Sequence, residues 1–157
     1  MRSLVFLFIA ATCCFAACEQ SAQEPAQNQV ETPVITDHVV LSHANNAPKL
    51  VYRYAGSDSL NRVEIGFHET GEQMTIGTVQ NGQRQGEWNS FHPDGTPWST
   101  HYYDKGKQEG LYRVYYANGQ ARIKGQYTAD KEVGMWYFFT ETGDTARTVN
   151  FDLPNAN

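Results

Sequence analysis

The feature that most limits the fold of this chain is an internal repeat with a constant offset of 24 residues. Its clearest marker is a glycine followed two positions later by an aromatic residue, in the segments Gly86-Glu87-Trp88, Gly110-Leu111-Tyr112 and Gly134-Met135-Trp136. Two further sets of residues keep the same offset, namely Phe67, Phe91, Tyr115 and Phe139, and Val79, Tyr103, Tyr127 and Phe151. Periods of about 20 to 50 residues are typical of repeat proteins, in which one supersecondary unit packs against its copies.

Each copy has the pattern of a β-hairpin. Two runs rich in aromatic and β-branched residues flank a glycine, which is Gly71, Gly95, Gly119 or Gly143. Asp94-Gly95 and Asn118-Gly119 favour a tight primed turn, because glycine tolerates a positive φ without steric cost. The polar segments 81–85, 104–109 and 128–132 are interpreted as turns between hairpins, and the remaining repeated glycines as structural turn glycines, Gly86, Gly110 and Gly134.

These patterns predict an all-β fold. We expect an antiparallel meander of about four to five hairpin repeats, with about nine or ten strands in one elongated sheet. Upstream, residues 49–54 and 61–67 resemble one further, degenerate hairpin. Such a unit is expected to cap the array, because a terminal repeat faces solvent on one side.

The N-terminus has the layout of a secretory signal. Met1-Arg2-Ser3 precedes an apolar run from Leu4 to Phe15, and the small residues Ala16-Ala17 stand directly before Cys18. The apolar run is too short to cross a bilayer as a helix. The segment resembles a bacterial lipoprotein signal, which is cut before the cysteine so that the thiol of Cys18 carries the lipid. An ordinary signal peptide with an incidental cysteine, or an uncleaved anchor, is the alternative.

Residues 19–36 are rich in Gln, Glu, Pro, Ala and Asn, which is the composition of a flexible tether. We therefore divide the chain into a signal peptide (1–17), a tether (18–37), a capping hairpin (38–66) and the repeats (67–157).

Cys13 and Cys14 lie in the signal, so no internal disulfide is expected after cleavage. The net charge of −5 disfavours nucleic acid as a partner. The expected location is the cell envelope, anchored to the membrane by lipid, at the outer membrane or periplasmic face and not in the cytoplasm.

Trp88, Tyr112 and Trp136 occupy equivalent positions in successive repeats. With two strands per repeat they are expected about 10 Å apart along one face of the sheet. One interpretation is a binding ridge for a protein or an envelope polymer, including a glycan whose rings stack on the aromatics. The other is that the rings are core, because a thin sheet needs them for stability. Solvent exposure of the three rings distinguishes the two.

The sequence contains no convincing catalytic or metal-binding pattern, and we expect no enzyme and no cofactor. His68 and His92 share one repeat position, which puts them about 10 Å apart and too far for one zinc ion. Ser90 stands two residues before His92 without an acidic partner. The remaining candidate carboxylates fall beside turns, namely Glu87, Glu109, Glu132 and Glu141.

The repeats resemble the MORN-type repeat, in particular the bacterial variant of YwqK-family proteins. The resemblance covers residues 61–151 and rests on the three Gly-x-aromatic segments with Asp94-Gly95 and Asn118-Gly119, while Thr142-Gly143 and 128–132 depart from it. It implies an elongated antiparallel sheet and an antitoxin label. Because this chain resembles an exported lipoprotein, that label would mean immunity to an envelope-acting toxin. The expected function is a non-catalytic envelope lipoprotein that binds or scaffolds a protein, with immunity or glycan binding as alternatives.

Overall fold

A computed structural model describes residues 34–57 and 59–153. These residues form 11 β-strands, and no helix among them is long and apolar enough to cross a membrane. The strands are β1 (Ile35–Ser42), β2 (Pro48–Ala55), β3 (Arg62–Phe67), β4 (Gln73–Gln80), β5 (Gln83–Phe91), β6 (Pro97–Asp104), β7 (Lys107–Gln108), β8 (Gly110–Tyr115), β9 (Ala121–Thr128), β10 (Lys131–Phe139) and β11 (Thr145–Asn150).

The strands form one open sheet whose spatial order follows the chain from β1 to β11. Every neighbouring pair is antiparallel. The short β7 pairs with β6 just ahead of β8, so β7 and β8 are two parts of one interrupted strand. The predicted all-β antiparallel meander of hairpin repeats is confirmed.

The N-terminal end of the sheet extends beyond the predicted boundaries. The segments 49–54 and 61–67 pair as β2 and β3, from Leu50 opposite Gly66 to Arg53 opposite Val63. A further strand, β1, pairs with the outer side of β2. It begins at Ile35, inside the predicted tether 18–37. The predicted signal peptide lies outside the described residues.

Five connections share one loop geometry, at residues 43–47, 68–72, 92–96, 116–120 and 140–144. In each loop the first amide donates to the carbonyl of the fifth residue, and the fourth amide donates to the carbonyl of the first, at 2.8 to 3.0 Å. The fourth residue has a positive φ, whereas Asp94 and Asn118 do not. The side-chain oxygens of Asp94 and Asn118 accept hydrogen bonds from the amides of Thr96 and Gln120, both at 2.9 Å. The prediction of primed turns at Asp94-Gly95 and Asn118-Gly119 is therefore wrong, because both lie in three-residue loops in which only the fourth residue, the glycine, is left-handed.

Tight primed turns occur instead between those hairpins. Three residue pairs have a positive φ at both positions, namely Asn81-Gly82, Lys105-Gly106 and Ala129-Asp130. Each pair directly links two paired strands. Two consecutive positive φ angles match the right-handed twist of the flanking strands. The segments predicted as connecting turns are consequently part strand, since β5, β7 and β10 begin at once after these pairs.

Three repeated glycines lie within the sheet strands and not in turns, which corrects their prediction as turn glycines: Gly86, Gly110 and Gly134, with φ of 68°, 90° and 65°. In β5, Gly86 and Glu87 have no partner on β4, because the register jumps from Gln85 to Trp88. β10 contains an equivalent jump against β9. A bulge of this kind needs a left-handed residue, which explains the glycine two positions before each repeated aromatic residue.

Candidate binding surface

The repeated aromatic residues lie on one face of the sheet, here called the packed face and defined by Trp88, Tyr112 and Trp136. Trp88 and Trp136 are only 7% and 3% exposed, and Tyr112 is partly buried. The two indoles are therefore core side chains, and a partner could not reach their faces without unpacking the sheet. Their burial also removes the evenly spaced stacking platforms on which the glycan alternative depends.

On the packed face, the size of each repeated ring complements the size of the residue that it faces on the neighbouring strand. The repeat positions face each other as Gly77 with Trp88, His101 with Tyr112, and Gly125 with Trp136. An added β-carbon at either glycine would overlap the indole of its partner. Where histidine replaces glycine, the facing ring is the smaller tyrosine, and the two rings meet edge to face with centroids 4.8 Å apart. The glycines thus provide the space that the indoles occupy.

The rings of the packed face form one continuous series of contacts from β5 to Phe151, the residue after β11. Its members are Trp88, His101, Tyr103, Tyr112, Tyr127, Trp136 and Phe151. Neighbouring centroids are 4.8 to 6.2 Å apart, and most pairs are edge to face. Each such pair contributes about 0.5–1.5 kcal/mol beyond the area that it buries. This series stabilises a sheet that has no second layer among the described residues.

His101 is the titratable group within this aromatic series. Its Nδ1 atom is buried and has no hydrogen-bond partner in the described part of the chain. Burial, and then the nearby Arg84 guanidinium, lower the pKa of His101 below its ordinary value. Burial therefore favours the neutral form of the imidazole, in keeping with a packing role.

The other face, here called the open face, is defined by the exposed side chains Leu111, Met135 and Tyr137. They are 49%, 42% and 40% exposed, respectively. Leu111 and Met135 immediately precede packed-face aromatics, so strand alternation sends them to the opposite side. Tyr137 stacks on Phe139 with centroids 6.2 Å apart. The open face therefore presents apolar and aromatic surface to solvent.

A row of side chains crosses the open face, one from each repeat strand, and each is the cross-strand partner of the next: Asn89, Thr100, Arg113, Lys124, Tyr137 and Thr148. Arg113 and Lys124 are thus directly opposite each other, an arrangement of like charges that destabilises a sheet. Neither forms a salt bridge with any described carboxylate, since the salt bridges of the described region lie within β1 to β3. This chain of net charge −5 therefore holds two cations side by side without a salt bridge. Lys124 Nζ lies 5.3 Å from the centroid of the Phe139 ring, and Arg113 attracts the Glu87 carboxylate.

A hydrogen-bonded polar cluster borders the two cations. The Tyr102 hydroxyl donates to the Glu87 carboxylate, the Asn89 amide donates to the same carboxylate at 2.7 Å, and the Thr100 hydroxyl donates to Asn89 Oδ1 at 2.8 Å. The bonds from Tyr102 and Asn89 lower the pKa of Glu87, and the carboxylate in turn raises the pKa of Tyr102. These bonds, together with the nearby Arg113 guanidinium, favour the ionised form of Glu87.

Contacts between successive hairpin loops are a feature that the sequence analysis missed. The first residue of a loop hydrogen-bonds to a backbone carbonyl of the next repeat at 2.7 to 3.0 Å, in the pairs His43 with Phe67, His68 with Phe91, and Tyr116 with Phe139. His92 holds the equivalent position but stacks on Trp98, with centroids 5.8 Å apart. The repeat offset relates three of these positions directly, so a search for polar residues at loop starts could have found them.

The other predicted site residues are not brought together into a reactive group. Ser90 is opposite Ser99 on β6, while His92 contacts Trp98. Within residues 34–57 and 59–153, no group of three or more His, Cys, Asp or Glu side chains could hold a metal ion. Cys18, the predicted lipid attachment site, lies outside the described residues.

Comparison with known proteins identifies part of this array. The family model for the MORN repeat variant matches residues 84–107 and 108–129. These segments are two adjacent repeats, which span β5 to β9. No curated protein and no solved structure matches the chain. The resemblance to MORN-type repeats is confirmed for these two units, and a repeat module of this kind suits binding or scaffolding.

Proposed function

We propose that this chain is a non-catalytic, lipid-anchored binding protein of the bacterial cell envelope, and that it contacts an acidic protein through the open face. The observation that carries the proposal is the exposed apolar surface of Leu111, Met135 and Tyr137 beside Arg113 and Lys124, two cations that face each other without a salt bridge. Aromatic residues, Met and Arg are enriched at protein interfaces, where aromatic and Arg side chains dominate the energetics.

The two cations favour an acidic partner. A sheet tolerates the repulsion between Arg113 and Lys124 at a cost in stability, and a carboxylate placed between them would relieve it. In the polar cluster, Glu87, Asn89 and Thr100 already form hydrogen bonds with one another. It can therefore border an interface without leaving buried polar atoms unpaired.

Photo-cross-linking in the bacterial host tests the surface directly. A benzoylphenylalanine placed at Tyr137, on the open face, is expected to capture a partner protein. The matched control places the same residue at Arg147, which is exposed and belongs to the same hairpin but faces the packed side, opposite Phe138. Capture from position 147 but not from 137 would exclude the open face as the interface.

Charge reversal tests the chemistry of the partner. Arg113→Glu with Lys124→Glu is expected to abolish capture from position 137, because the variant repels an acidic surface. Lys131→Glu is the control, since Lys131 is an exposed cation at the start of β10, away from this row. Equal capture by the protein with native Arg113 and Lys124, by the double variant and by Lys131→Glu would show that the partner is not selected by charge.

The anchor is tested separately at Cys18. Wild-type protein is expected to incorporate an alkyne-labelled fatty acid and to sediment with membranes, whereas Cys18→Ser is expected to do neither. Antitoxin-like immunity is the alternative role of the same surface, and an envelope toxin captured from position 137 would establish it.

A further inference from the structure

The outer edge of β1 is an exposed apolar strand. All eight residues of β1 are exposed, and Ile35, Val39 and Leu41 are 65%, 57% and 52% exposed. In the described part of the chain β1 pairs with β2 alone. An exposed, apolar edge strand is a template on which another strand can pair.

The backbone of β1 has hydrogen-bonding groups directed away from the sheet. Gly56 donates its amide to the Val34 carbonyl at 2.9 Å, which fixes Val34 as a residue whose groups face β2. In an antiparallel pair these groups alternate from residue to residue. The amides and carbonyls of Ile35, Asp37 and Val39 therefore face outward over the regularly paired part of the strand.

The charges on β1 do not protect this edge. Natural edge strands are commonly guarded by lysine, by proline or by unpaired charge. The carboxylate of Asp37 is instead bound by Arg53, whose Nε and Nη2 atoms lie 2.8 Å from its two oxygens. The opposite edge, β11, is polar in comparison and carries Arg147 among exposed threonines. The two edges of the sheet thus differ in their capacity to accept a strand.

We infer that two copies of this chain pair through β1 as an antiparallel, two-fold symmetric dimer. A two-fold axis at His38 would place Asp37 of each copy opposite Val39 of the other. The outward backbone hydrogen-bonding groups of one strand then face those of the partner strand. The two Asp37 carboxylates are then not directly opposite each other. Ile35 would lie opposite Leu41, which covers the most apolar part of the edge. Pairing of β1 with β11 would instead leave free edges and form open filaments.

A hollow at the β1–β2 pair gives room for added side chains. It has a volume of about 440 Å³ and is lined by Thr36, His38 and Val40 together with tyrosines of β2. A strand added beside β1 sends alternate side chains toward this side of the sheet.

Sedimentation equilibrium tests the dimer without reference to any other partner. Every described strand lies in the unit Thr32–Asn157, so a chain beginning at Glu19 retains the whole sheet. At micromolar concentration this protein is expected to sediment at twice its monomer mass. Val39→Lys is expected to sediment as a monomer, because a lysine on an edge strand disfavours pairing with another strand. Thr148→Lys, the matched change in β11, is expected to remain a dimer.

Two outcomes would overturn the inference. One is a wild-type protein that stays monomeric, and the other is a dimer that survives Val39→Lys but is lost in Thr148→Lys. Circular dichroism and urea denaturation of both variants show whether each is folded. If Val39→Lys unfolds, Val39→Pro replaces it, since it removes an outward amide and leaves the β1–β2 hydrogen bonds in place.

Discussion

The indole of Trp136 lies directly against the α-carbon of Gly125, so that a β-carbon at Gly125 would overlap atoms of the ring. Gly77 bears the same relation to Trp88, 48 residues earlier. The glycine, which leaves a space, and the tryptophan, which fills it, therefore both recur at the repeat offset within this one sequence. Absence of a side chain on one strand allows the largest side chain to lie flat on the next.

Gly125→Ala is expected to destabilise the protein by about 1–3 kcal/mol, the usual cost of overpacking a tight site. In a Trp136→Ala background the same change should cost much less, because the ring that it meets is gone. Urea denaturation of the two single variants and the double variant gives the coupling free energy. Strictly additive effects would contradict direct contact as the cause.

Gly86→Ala is expected to cost about 1–2 kcal/mol for a different reason, the penalty of a left-handed backbone. No atom lies within 4 Å of a β-carbon at this position, and its φ is 68°. Gly86→Asn should therefore cost less than Gly86→Ala, because asparagine adopts positive φ more readily. Equal losses in the two variants, measured by urea denaturation, would show that the bulge does not determine the cost.

Folding stability is expected to fall as the pH drops below 6.5, the ordinary pKa of histidine. Burial lowers the pKa of His101 in the folded protein, so the unfolded chain binds a proton that the folded chain does not. This contribution is complete above pH 6.5 and is lost as the pH falls toward the folded-state pKa. Urea midpoints at about pH 7.5 and about pH 5.5 measure the slope. His101→Gln should flatten it, and an unchanged slope would assign it to another group.

Tyr116→Phe is expected to cost about 0.5–1.5 kcal/mol, because it removes the hydroxyl that donates to a neighbouring repeat. That hydroxyl lies 2.7 Å from the Phe139 carbonyl oxygen. Tyr137→Phe is the control, since Tyr137 is exposed and its hydroxyl has no hydrogen bond to any described residue. Thermal unfolding of the two variants should separate them, and equal midpoints would mean that the contact between loops adds nothing.

Much of the fold follows from local pattern in the sequence. The constant offset located the hairpins, and the runs of aromatic and β-branched residues located most strands from β2 to β11. The structure, however, places the primed turns at other connections than those that the sequence predicts. Asp94-Gly95 and Asn81-Gly82 are both compatible with a primed turn, and the pairing register selects the second for that geometry. β1 was missed because it follows the polar tether without a clear boundary.

The repeat, its hairpin unit and the positions of the large rings follow from the order of residues along the chain. Which rings are core and which side chains face solvent depends on how the strands are arranged in the sheet. The reason is that strand alternation predicts relative faces only where pairing is regular, and bulges such as Gly86-Glu87 interrupt it. Whether an indole is buried depends on the strand beside it, where Gly125 leaves the space that Trp136 fills. That relation joins different strands, and a sequence shows it only once the register of the strands is known.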